Sequence, residues 1–248
     1  MATSFGALCT DFYINHKLTV RMDLPAERET VLHLFDRVRA EIPSMSRFRR
    51  YPDEFSLESS RKEGAYRWLA LQQNSVRTGQ VNPETLEEAY GLHRLLMRLS
   101  PYHLTISPLD IEHQELLLGF DLETKANQHQ IVREALFDQT PMARLLEAGE
   151  SQPTDLQPIF GVSLDAESGL QAFFEVKAST GFSQIRHGRY RTEPLSVMLT
   201  VRRSGPVDSV DDLVSNFDLL KDHAERLATD RLIPDLLNPI SRCITHSA

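Results

Sequence analysis

The chain has 248 residues, of which 41% are hydrophobic and 25% charged, an ordinary composition for a soluble folded protein and enough length for a large core. No apolar run approaches the ~20 residues of a membrane span, and MATSFGALCTDF at the N-terminus lacks the basic start and apolar stretch of a secretory signal. The net charge of −8 is uneven, with 14 basic and 13 acidic residues in 1–108 against 13 and 22 in 109–248, so the broad basic footprint of a nucleic-acid binder is missing.

The composition therefore predicts a cytoplasmic protein with no membrane partner and no nucleic-acid partner. Cys9 and Cys243 offer neither a metal-ligand spacing nor a disulfide framework.

Leu8–Leu24 alternates strictly. Leu8, Thr10, Phe12, Ile14, His16, Leu18, Val20, Met22 and Leu24 take one face, and Asp11, Tyr13, Asn15, Lys17, Thr19 and Arg21 the other. That is a strand with a core face and a water face. Pro25 suits the first turn of a helix over Ala26–Ile42, whose buried stripe is Val31, Leu34, Phe35, Val38 and Ile42. A hairpin follows, with Phe48 and Tyr51 before the Pro52-Asp53 turn and Phe55 and Leu57 after it. After a loop at Ser59–Gly64, Ala65–Arg77 reads as one strand and Gly79 as a turn. Asn82, Pro83 and the early Glu84, Glu87 and Glu88 mark a helix start. Its stripe is Leu86, Ala89, Tyr90, His93, Leu96 and Met97, and it is expected to stop before Ser100-Pro101. Tyr102–Leu109 reads as extended, either a linker or an added edge strand.

Ile111–Leu122 repeats the pattern Ile-x-His, apolar alternation, Asp-Leu of the first strand. One extra residue relative to that strand predicts a β-bulge near Glu115 or Leu116. A helix over Asn127–Phe137 follows, extending toward Leu146, then the linker-like Ala148–Pro158. Ile159–Leu164 and Leu170–Lys177 form a second hairpin, Ser179–Pro194 is an insertion without a counterpart, and Leu195–Arg203 is a strand. Ser209 to Asp212 resembles a capping box. The last helix carries Leu213, Phe217, Leu220, Ala224 and Leu227 and is expected to kink at Pro234, with a frayed tail from Ser241.

These elements predict an α+β fold of two pseudo-symmetric β-α-β-β-β-α halves, 1–108 and 109–248. The halves form an antiparallel sheet with helices packed on one face, in one compact unit. The element order is similar to that of TATA-binding-protein-like saddle folds and of paired ferredoxin-like units, an order-only similarity that does not settle function.

No nucleotide, zinc-hydrolase or nucleophile-elbow motif is present, and no cofactor is expected. If the two first strands meet at the pseudo-twofold axis, His16 and His113 could approach and supply part of a metal site with Glu112 or Asp11. The plainer reading makes His16 a half-buried, hydrogen-bonded core residue. Arg186-His187-Gly188-Arg189-Tyr190-Arg191 is the densest basic-aromatic stretch, and guanidinium groups bind carboxylate or phosphate bidentately. The competing reading is a solvated loop offsetting an acidic half. Arg47, Arg49 and Arg50 form a second basic cluster split between two strand faces. The expected function is a duplicated scaffold or protein-interaction module, self-associating or holding a protein partner. The alternative is a binder or enzyme for a small anionic ligand using Arg186, His187, Arg189, Arg191 and Arg49.

Overall fold

The computed structural model describes every residue except 1–2, 62–63, 147–151, 168 and 248. Among the described residues nine strands form one antiparallel sheet, in the order β2-β3-β4-β5-β1-β6-β9-β8-β7. The strands are β1 (Asp11–Val20), β2 (Arg47–Tyr51), β3 (Glu54–Glu58), β4 (Tyr66–Gln72), β5 (Ser75–Val81), β6 (Ile111–Thr124), β7 (Ile159–Ser163), β8 (Leu170–Lys177) and β9 (Glu193–Ser204). The helices are α1 (Arg28–Glu41), α2 (Leu86–His103), α3 (Gln128–Leu136), α4 (Ala143–Leu146), α5 (Phe182–His187), α6 (Asp212–Leu227) and α7 (Asn238–Ser247). A π-helical stretch, Ala228–Leu237, joins α6 to α7 and contains Pro234. None of these helices is long and apolar enough to cross a membrane.

The two middle strands, β1 and β6, pair over nearly their whole length, from Asp11 opposite Asp121 to Val20 opposite Ile111. The alternation of β1 does what its pattern requires: Phe12, Ile14, His16, Leu18 and Val20 are buried. These residues and their neighbours form two apolar clusters under the helices. One holds Phe12, Phe120, Phe174, Phe217 and Leu232, and the other Leu18, Phe35, Leu57, Leu69 and Leu96. Each cluster draws on both halves of the chain, since Tyr90 belongs to the first and Leu213 to the second.

Several expectations are corrected. Ala65–Arg77 is two strands, because the chain turns at Gln73-Asn74, whose carbonyls accept from Leu24 (2.7 Å) and Val20 (2.9 Å). That turn lacks glycine or proline, so the sequence carries no punctuation there. The first half consequently has one strand more than the second. Asn82 does not cap α2. It takes a left-handed backbone (φ 47), accepts from the Phe12 amide and donates to Asp11 Oδ1 at 2.6 Å. Thr85 is the N-cap, accepting from the Glu88 amide at 3.2 Å. α2 runs through Ser100 and Pro101 to His103, so Tyr102 and His103 are helical rather than extended. Pro101 lacks the N–H that would bond the Met97 carbonyl, yet the helix continues past it by one short turn. The bulge lies beyond the expected place. Thr19 faces His113 and Val20 faces Ile111, which leaves Glu112 as the extra residue. The tail after Ser241 is helical, with Ile240 fully buried and Ile244 packed on the core. The helix expected to extend to Leu146 ends at Leu136, and α4 is separate. Of the linker-like stretch, 148–151 lie outside the described residues.

Candidate functional site on the open face of the sheet

The odd positions of β1 point away from both apolar clusters. Reading across the strands, the register sets Arg77 (β5), Lys17 (β1), Glu115 (β6) and Arg202 (β9) in one row. The adjacent row is Trp68, Gly79, Asn15, Leu117, Thr200 and Phe173. None of these side chains belongs to either cluster, and all except Gly79 are half-buried. A groove of about 370 Å³ is lined by Asn15, Lys17, Arg77, Glu115, Thr200 and Arg202, among others. A second, of about 500 Å³, is lined by Tyr51, Glu54, Glu58, Tyr66, Trp68 and Arg77. Arg77 lines both, so the two meet there.

Glycines shape this surface. A Cβ at Gly79 would overlap the Trp68 ring and the Asn15 amide, and one at Gly119 would overlap the Tyr13 ring. The missing side chains let these groups lie flat across the strands. Gly79 was expected to be a turn. Its place mid-strand is explained by this close approach. Gly79→Ala is expected to destabilise the fold by about 1–3 kcal/mol through overpacking. It should also expose Trp68, read as a red-shifted emission from the single tryptophan of the chain. Unchanged emission would contradict this packing.

The charges on the face are unequally satisfied. Glu115 is engaged by Arg202 through both Nε and Nη2, and the Arg202 guanidinium lies 5.1 Å from the Phe173 ring centroid. Glu58 accepts from Ser56 (3.3 Å) and Tyr51 (3.4 Å) and pairs with Arg49 (3.4 Å). Arg77 stacks over Trp68 at 5.6 Å. Among the described residues neither Lys17 nor Arg77 has an ion-pair partner. Burial lifts the Tyr13 phenol above its ordinary range, and the Asp121 carboxylate adds to the effect. His113 lies within 3.8 Å of Glu115 and contacts Thr19 Oγ1 at 2.9 Å. Burial lowers its pKa, the Glu115 carboxylate opposes that shift, and Arg202 and Lys17 add to it.

His16 and His113 do not meet. His16 lies opposite Leu116 on the helix face, and His113 opposite Thr19 on the open face. The ring beside His16 is His93 of α2, at 5.6 Å between centroids. Among the described residues no group of three or more His, Cys, Asp and Glu is placed to hold a metal. Gln114 Nε2 donates to the Leu213 carbonyl (3.1 Å), which orients its amide and makes His16 Nε2 an acceptor at 3.0 Å. Thr78 Oγ1 contacts His93 Nδ1 at 2.6 Å.

Arg186, His187, Arg189 and Arg191 are all exposed, on α5 and the chain after it. Gly188 takes the left-handed backbone (φ 61) that ends α5, and His187 Nδ1 contacts the Ser183 carbonyl at 2.8 Å. Arg49 stands on β2 at one sheet edge, whereas α5 lies between β8 and β9 toward the other, so the five are not brought together. Arg47 and Arg49 share a face, with Arg47 on Ser60 and Arg49 on Glu58, while Arg50 lies over Phe55. Sequence reasoning passed over Lys17, Trp68 and Arg77. A signal was available in Gly79, an isolated glycine within a run of strand-forming residues. Comparison with models of known families and with curated proteins finds no match to this chain.

Proposed function

We propose that the protein is a non-catalytic binding module of the cytoplasm, built from two related halves, whose ligand sits on the open face of the sheet. The observation that carries this reading is the pair of grooves meeting at Arg77, on a face of half-buried aromatic and charged side chains. An ordinary solvated face has no need of glycines that flatten Trp68 and Tyr13 against the strands. The strand order supports the duplicated plan. Outward from the β1–β6 pair it runs β5-β4-β3-β2 on one side and β9-β8-β7 on the other, the same plan with one strand more in the first half. In each half a helix follows the first strand and another follows the strand beside it.

Trp68 makes the reading testable. A fragment panel of cationic, neutral and anionic rings is titrated into the protein while its emission is followed. A saturable change with at least one class supports a ligand on this face. Silence across the panel rejects it.

A second reading, self-association, rests on the strand at one edge of the sheet. β7 has no charged residue and exposes Ile159, Phe160 and Val162. β2 at the other edge carries Arg47, Arg49 and Arg50, charges of the kind that block edge pairing. Native mass spectrometry is expected to show a dimer that Val162→Lys converts to monomer. A monomeric wild type would dispose of this reading.

A further inference from the structure

We propose that the central groove of the open face binds a small aromatic anion, with its phosphate or carboxylate between Lys17 and Arg77 and its ring against Trp68. This inference rests on the binding-module reading. Lys17 and Arg77 are directly opposite each other on neighbouring strands. Like charges so placed repel and destabilise a sheet. Here they are half-buried and neither is paired among the described residues. The acid next in the row does not relieve them, because Glu115 is engaged by Arg202 on its far side. The apo fold thus carries a repulsion that an anion in the groove removes. Asn15 and Thr200 line the same groove and bring hydrogen-bonding groups, and the Glu115 and Glu175 carboxylates on its other side confine an anion to the Lys17–Arg77 end. Asn15 Oδ1 is buried without a hydrogen-bond partner and, as an acceptor, is open to an N–H or O–H of the ligand and not to its anionic group. Both grooves have the volumes of small-molecule sites.

The second groove sets the other end of the ligand. Trp68 and Tyr66 line this groove with Arg77 over the Trp68 ring and Arg61 over the Tyr66 ring at 4.4 Å, so a bound ring stacks there by displacing a guanidinium. Glu54, which accepts from Gln72 at 3.0 Å, and Glu58, already engaged by Ser56, Tyr51 and Arg49, line the same groove and keep lone pairs for a further donor. A ring carrying N–H donors suits those carboxylates. Two strand spacings, roughly 10 Å, separate Lys17 from Trp68. A mononucleotide has this layout: one anionic end, and a planar base with an amino group at the other.

The probes are adenosine monophosphate, adenosine and inorganic phosphate, followed by Trp68 emission and by calorimetry. The monophosphate is expected to bind with one-to-one saturation, and adenosine and phosphate each at least about ten-fold more weakly. Lys17→Gln and Arg77→Gln should each weaken the monophosphate roughly ten-fold or more, the loss of a charged hydrogen bond. Without ligand both variants should melt at or above the wild-type temperature, since each relieves the repulsion. A monophosphate that leaves Trp68 unchanged overturns the inference, as do variants that bind it as the wild type does. A cationic or neutral ring that changes Trp68 while the monophosphate does not overturns this inference and leaves the binding-module reading standing. A short single-stranded oligonucleotide binding more than about ten-fold tighter than the monophosphate would replace the small-molecule ligand with a nucleic-acid strand.

Discussion

Acidification from pH 7 to pH 5 is expected to lower folding stability by about 2 kcal/mol through His16 alone, and further through His93. The cause is the pair His16 and His93, both fully buried beneath the centre of the sheet. Burial holds the His16 imidazole down at about 3. His93 is held well below its ordinary value, first by burial and then by His16 and the Arg94 cation. In the unfolded chain both titrate near ~6.5. Below that value the unfolded state binds protons that the folded state refuses. The stability is whole above pH ~6.5 and drains as the pH falls, by about 2 kcal/mol for His16 at pH 5, with His93 adding to the loss. His103 and His223, also lowered chiefly by burial, act in the same direction, with less effect because they are more exposed. Urea denaturation at pH 7, 6 and 5 checks the expectation. His16→Leu should remove the His16 share, about 2 kcal/mol of the loss between pH 7 and pH 5. A wild-type midpoint that does not move over this range would mean that protons reach the pair without unfolding.

Phe217→Ala is expected to cost about 3–5 kcal/mol at pH 7. The ring is fully buried on α6, where it meets α2 and the middle of the sheet. It lies edge-on to His16 at 5.4 Å and to Tyr90 at 5.8 Å, 5.7 Å from His93, and under the Arg94 guanidinium at 5.6 Å. Arg94 in turn bonds Asp218 at 2.7 Å, tying α2 to α6. Removing the ring opens a void beside two imidazoles that each have one unpartnered nitrogen. Water entering that void would also blunt the acid sensitivity. Phe182→Ala is the control, since that ring is 67% exposed and its loss should stay within about 0.5 kcal/mol. A Phe217→Ala midpoint within 1 kcal/mol of wild type, by the large-to-small rule, would show that the two halves do not depend on this contact.

The candidate site was less legible than the fold. Period-two alternation in β1 identified its buried residues, because a strand side chain has only two directions to point. The same rule placed Lys17 and Asn15 on the opposite face, yet it could not say what stood beside them. Arg77 and Trp68 become their neighbours only through pairing between β1, β5 and β4. The dense Arg186–Arg191 stretch drew attention as a cluster in sequence. The structure spreads its charged side chains into solvent. His16 was legible as a polar residue on an apolar face, but its partner His93 lies on a helix 77 positions away.

Local physics by itself determined the element types. Alternation, helical stripes and acidic first turns are written in short windows, and they yielded an α+β chain with an antiparallel sheet. Only the tertiary structure decided the order of nine strands, the β4–β5 turn without glycine or proline, and the register that sets Lys17 against Arg77. Register is a long-range quantity. It is set by which faces bury together across the whole sheet, and no short window of residues contains it.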